Sequence, residues 1–177
     1  MNSTITAIAA GLATALVVLG GPAARAETRV DAKADWSVFR SDNSPRECWI
    51  VSAPKSWTAK RGGRDVTNKV RRSDILLMVA IRPGENVKNE VSYTSGYPFR
   101  KGSKVKITVG SDSYEMFTEG EWGWLNSPAE DDSAVAKFKA GATAILTAVS
   151  RRGTTTRDVF SLRGFTAALK AARELCK

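Results

Sequence analysis

No histidine occurs in the 177 residues of this chain. That absence excludes Ser-His-Asp and Cys-His catalysis, histidine-based zinc sites and the usual general base near neutral pH. Cysteine is scarce. Cys48 and Cys176 stand too far apart for a C-x-x-C redox or metal motif. The chain has no G-x-S-x-G, no Walker loop and no G-x-G-x-x-G. Past residue 26, no apolar run is long enough to span a bilayer. Acids are in the minority, 18 against 27 lysines and arginines, for a formal net charge of +9. Internal repeats and low-complexity segments are missing. The expectation is a protein that is not an enzyme, with no cofactor and no metal. A hydrolase with an unrecognised site is the remote alternative.

The first residues address the compartment. "ITAIAAGLATALVVLGG" runs without a charge and is followed by "PAARAE", whose Ala24-Arg25-Ala26 has the small-x-small form of a cleavage site. The pattern predicts a signal peptide over 1–26. The n-region "MNST" carries no Lys or Arg, so a retained anchor is the competing reading, but the run is short for a spanning helix. Cleavage would leave one domain's worth of chain. A polar, mobile lead-in is expected at 27–34 and a β-rich domain at 35–177. Losing Arg25 lowers the formal charge from +9 to +8. A basic exported protein favours anionic partners. Two cysteines in such a chain predict a Cys48–Cys176 disulfide, worth about 5 kcal/mol in the chain-entropy model. Two free buried thiols are the alternative.

Nine short runs of strand composition follow one another between turn signals: "DWSVF", "ECWIVSA", "DILLMVAIRP", "NEVSYTS", "KVKITVG", "SYEMFTEG", "EWGWLNS", "ATAILTAVS" and "TTTRDVFSL". "KVKITV" sets Lys104, Lys106 and Thr108 against Val105, Ile107 and Val109, one face wet and one buried. Two helices interrupt. "SPAEDDSAVAKFKAG" offers Ser127 as N-cap, Pro128 at N1, Glu130 at N3 and Gly141 past the end. "GFTAALKAARELC" repeats apolar residues at helical spacing. The fold class expected is all-β: an antiparallel sandwich of roughly nine strands, with a short internal helix and a C-terminal helix packed on it.

The segment "KSWTAKRGGRDVTNKVRR" concentrates seven cations and one acid, Asp65. It reads as a long loop. Its candidate anionic-surface residues are Lys55, Lys60, Arg61, Arg64, Lys69, Arg71 and Arg72, with Trp57 as an exposed apolar anchor. A merely solvated loop is the competing reading. Export argues against nucleic acid as partner. Arg151-Arg152, at a predicted hairpin tip, matters only if it lies beside this segment. "EDD" at 130–132 fits a first helical turn better than a calcium site. Trp36 and Trp49 read as core. Trp122 and Trp124 share one side of a strand and also read as core, the alternative being a platform facing sugar or lipid.

The residues also resemble a known family. "DWSVF" with Cys48, "AIRPGENVKNEVSYTSGYPFRKGSKVKITVG", "YEMFTEGEWGWL" and "SRRGTTTRDVFSLRGFTAALKAARELC" are similar to the invasion-associated locus B proteins of bacterial envelopes. The resemblance implies a small exported β-rich protein, periplasmic or attached to the outer envelope. It implies a non-enzymatic binding or envelope-integrity role and a contribution to host-cell invasion. It points to an unknown envelope or host-surface partner and supplies no binding residues. The alternative function is binding of an anionic lipid, glycan or lipopolysaccharide through 55–72.

Overall fold

The computed structural model describes residues 27–42 and 44–177. The signal peptide expected over 1–26 lies outside the described residues. Twelve strands are found among them: β1 (Glu27–Lys33), β2 (Trp36–Ser41), β3 (Cys48–Ser52), β4 (Ser56–Arg61), β5 (Arg64–Asp65), β6 (Leu76–Arg82), β7 (Val87–Thr94), β8 (Val105–Val109), β9 (Asp112–Glu119), β10 (Trp122–Trp124), β11 (Thr143–Val149) and β12 (Thr155–Ser161). The helices are α1 (Pro128–Ala140) and α2 (Phe165–Leu175). The strands hydrogen-bond in the order β1-β2-β3-β6-β7-β10-β9-β8-β11-β12-β4-β5. Every strand pair is antiparallel.

All nine expected strands are present. The three additional ones fall where no strand was expected. Residues 27–33, read as a mobile lead-in, form edge strand β1 on β2. Its Glu27, Arg29, Asp31 and Lys33 suit a sheet edge that must stay soluble. The segment read as a long loop is a β4–β5 hairpin. Gly62 and Gly63 both have positive φ, 55° and 77°, as a two-residue type I′ turn requires.

The two halves of this sheet face each other across one core. Val38, Ile50, Val79 and Val91 point in from one half, and Ile107, Met116, Leu146 and Phe160 from the other. Tyr93 of β7 meets Phe160 of β12 edge-to-face at 6.2 Å. Period-2 alternation does this: each inward residue is flanked by outward ones. Trp36 closes the seam, its indole N–H donating to the Ser161 carbonyl at 3.0 Å.

The helices fill the open side. Phe165 of α2 is gripped by Trp36 at 4.9 Å and by Phe138 of α1 at 5.4 Å. Helix α1 begins as expected: the Ser127 hydroxyl accepts from the Glu130 amide. Its acids serve the fold. Asp131 accepts the Val91 amide at 2.9 Å, tying α1 to β7, and Asp132 accepts the Asn89 side-chain amide at 2.6 Å. No group of three or more His, Cys, Asp or Glu among the described residues is placed to hold a metal ion. Helix α2 lies over β2 and β3, and Cys176 just past its end is bonded to Cys48 of β3. The start of α2 needs glycine: Gly164 has φ +91°, and a Cβ there would sit 1.9 Å from the Lys33 carbonyl oxygen. Among the described residues no helix is long and apolar enough to cross a membrane.

Candidate functional site

The basic segment does not act as one surface. Lys55 turns away and pairs with Asp35 at 2.5 Å. Lys60 faces solvent on β4, opposite Asp65 of β5. Arg64 is exposed in the hairpin. These three leave the group that sequence reading had placed together.

Arg72 stays beside Arg61, Lys69 and Arg71, but its charge is taken up internally. It is buried, its side chain 3% exposed, against Asp158 at 0%. The two meet as a fork, both guanidinium–carboxylate contacts at 2.6 Å. The Arg72 Nε donates to the Ser95 carbonyl at 2.8 Å, and the Tyr93 hydroxyl donates to the same Asp158. The rings of Trp57 and Tyr97 each lie with their centroids 5.1 Å from the guanidinium carbon. Trp57 is thus half-buried on Arg72, not an exposed anchor. Burial works against the Arg72 charge, but the bond to Asp158 more than offsets it, so its pKa is raised. Burial likewise drives the Tyr93 phenol well above its ordinary value. Asp158 itself has no surface to offer a ligand.

What remains of the segment gathers around this buried knot. Arg61, Lys69 and Arg71 line a cleft of about 580 Å³ with Tyr97 for a wall, and Arg151 and Arg152 complete it. The β11–β12 tip therefore does lie beside the basic segment. It is fixed there: the Arg151 amide donates to the Pro98 carbonyl at 2.9 Å, and the Ser150 amide to Thr154 at 2.8 Å. Arg61 is aimed by its Nε–H bond to the Thr154 hydroxyl at 2.9 Å. Across the cleft, Ser73 donates to the Gly96 carbonyl at 3.1 Å. Gly96 has φ +69°, and a Cβ there would lie 2.6 Å from the Ser73 carbonyl oxygen, so the chain can cross only over glycine. Five exposed cations from three chain segments thus share one cleft, and Glu121 is the only acid in its lining. Such a site attracts anions and concentrates them locally.

The outer face of the half-sheet that contains β3 and β10 holds residues that sequence reading assigned to the core. Trp49, Trp122 and Trp124 point outward; only Trp36 is buried in the core. The inward position between Trp122 and Trp124 is Gly123, where a Cβ would come 3.3 Å from the Phe117 carbonyl oxygen and 3.5 Å from Met116 and Val105. The pattern W-G-W is therefore a strand with its large residues outside. That signal was present in the sequence: the small residue is the one that faces in.

Neither curated proteins nor solved structures provide a match to this chain. The family model described as "Invasion associated locus B (IalB) protein" matches residues 36–173, nearly the whole described domain. The chain accordingly belongs to the invasion associated locus B (IalB) family.

Proposed function

We propose that this protein is an exported envelope protein without catalytic chemistry, which docks an anionic lipid, acidic glycan or lipopolysaccharide in the basic cleft. The observation that carries the reading is the convergence of Arg61, Lys69, Arg71, Arg151 and Arg152 on one wall-bounded cleft. Solvated surface charge has no reason to converge from three segments with a single acid among it. Export is supported by the uncharged N-terminal run and by the Cys48–Cys176 bridge, a bond of oxidising compartments. A role in host-cell invasion is what the family's description adds to the proposal.

Binding of the purified, oxidised protein to vesicles containing lipopolysaccharide or anionic lipid, across a salt series, tests it. Binding that weakens steeply with salt, and is lost in R61A/K69A/R71A/R151A/R152A, is expected. A control variant, K55A/K60A/R64A, should bind like the parent. Equal loss in both variants would reduce the effect to net charge and remove the cleft from the account.

A further inference from the structure

The outer face of β2, β3, β6, β7, β10 and β9 carries two apolar patches, parted by the polar outward residues Lys88, Glu90, Ser92 and Thr94 of β7. The registers bring Phe39 beside Trp49, Val51 beside Met78, and Trp124 beside Phe117. None of these six is buried. At the β9–β10 side the face becomes a row of rings. Phe117 is 46% exposed and Trp122 36%. Trp124 stacks between them, 5.7 Å from Phe117 and 6.2 Å from Trp122. The ring planes differ by only 29° and 23°, so the three rings form a near-parallel row, not a cage.

Beside the row opens a groove of about 850 Å³, lined by Phe117 and Trp124 and by the turn leading into α1. That volume suits a small ligand. The groove is acidic in a strongly basic protein. Lys88 is the only cation in its lining. Glu85 and Glu90 share the single cation Arg82, at 2.9 and 2.6 Å, and keep one negative charge between them. Glu119, Asp131 and Asp132 have no cation paired with them among the described residues. Asp131 is 9% exposed; one oxygen accepts the Val91 amide, and the other is left to the groove. Asn126 adds a side-chain amide at the rim.

We propose that this aromatic row and its acidic groove bind a glycan chain whose sugars carry amino groups in place of acid groups. Phe117 and Trp122, the exposed ends of the row, offer flat, electron-rich rings to the C–H side of a pyranose. Unpaired carboxylates attract ammonium groups, and an ammonium held over a tryptophan gains further from the ring. The same carboxylates repel phosphates and uronates, which separates this site from the basic cleft. A lipid surface is disfavoured on the same ground, since anionic head groups would meet Glu119 and Asp132. The inference does not rest on the function proposed for the cleft.

The test is titration of the full chain with tetramers of glucosamine, N-acetylglucosamine and galacturonate, followed by tryptophan fluorescence and calorimetry. The glucosamine tetramer should bind and the N-acetylated tetramer more weakly. W122A/W124A should lower the affinity at least about tenfold. E119Q, at an exposed position, should narrow the gap between the amine and its N-acetylated form. Any binding of the galacturonate tetramer should survive W122A/W124A and disappear with R151A/R152A. The proposal is overturned if the glucosamine tetramer fails to saturate the protein at millimolar concentration, or if W122A/W124A leaves its affinity unchanged. It is also overturned if the face instead mediates a dimer, seen by sedimentation and lost in W122A/W124A, with no glycan bound.

Discussion

The Arg72–Asp158 pair offers the sharpest test of how this fold is held. Both charges are out of water, at 3% and 0% exposure. Removing one partner leaves the other buried and uncompensated, a loss of about 3–5 kcal/mol. In D158L, Arg72 keeps the Ser95 carbonyl and the two ring faces but loses its fork, and Tyr93 loses its acceptor. In R72M, Asp158 keeps only the Tyr93 hydroxyl, and Trp57 and Tyr97 each lose the cation over their ring. R72M/D158L removes both charges. It should fall short of the summed single losses by at least about 2 kcal/mol, with a residual loss of about 1–3 kcal/mol from the unpaired Tyr93 hydroxyl. Urea unfolding of the four proteins, disulfide intact, measures the cycle. Single variants within about 1 kcal/mol of the parent, or a strictly additive double, would refute the view that this pair is locked and dry.

Further expectations follow from particular positions. Reducing the bridge, or C48A/C176A, should cost up to about 5 kcal/mol by the chain-entropy account, read as a fall in the urea midpoint. Burial holds the Asp131 carboxyl up at about 6 against an ordinary 3.8. The folded state therefore binds this proton more tightly than the unfolded chain. Its contribution is full below about pH 4 and is lost as pH rises through about 6, a swing of about 2 kcal/mol after allowing for its solvated oxygen. D131N, which still accepts from Val91, should flatten that part of the stability–pH curve. G164A should cost more than about 2 kcal/mol, because its Cβ collides with the Lys33 carbonyl; a thermal shift within a degree of the parent would contradict the close approach.

The nine inner strands were legible because each has one face in a core, and burial writes alternation into sequence. β1, β4 and β5 were not. β1 has no fully buried residue, and in β4 only Ala59 is buried, so the periodic signal has almost nothing to carry it. The hairpin was nevertheless announced by Gly62-Gly63, a pair read as bare loop. Arg72 was unreadable for another reason. Its partner lies 86 residues away, and nothing local marks one arginine in a cationic run as the buried one. The tryptophans failed through composition: large aromatic residues are usually core, and only the glycine between Trp122 and Trp124 says otherwise. The acids of 130–132 were placed correctly in a first helical turn, but their bonds to β7 required the fold.

One strand sets the distance between the two charged sites. β7 begins at Val87, in the acidic groove, and ends at Thr94, two residues short of Gly96 in the basic cleft. At the rise of an extended chain its eight residues hold those ends about 24 Å apart. β6 pairs with β7 from Val87 to Thr94 and β10 with its last three residues, so the sheet holds this spacing. The molecule is therefore polarised along this axis, and near a charged layer it feels a torque as well as an attraction. Facing an anionic layer, its cationic end is attracted and its acidic groove repelled. Charges of opposite sign are thus held at the two ends of one strand, as poles are held on a bar magnet.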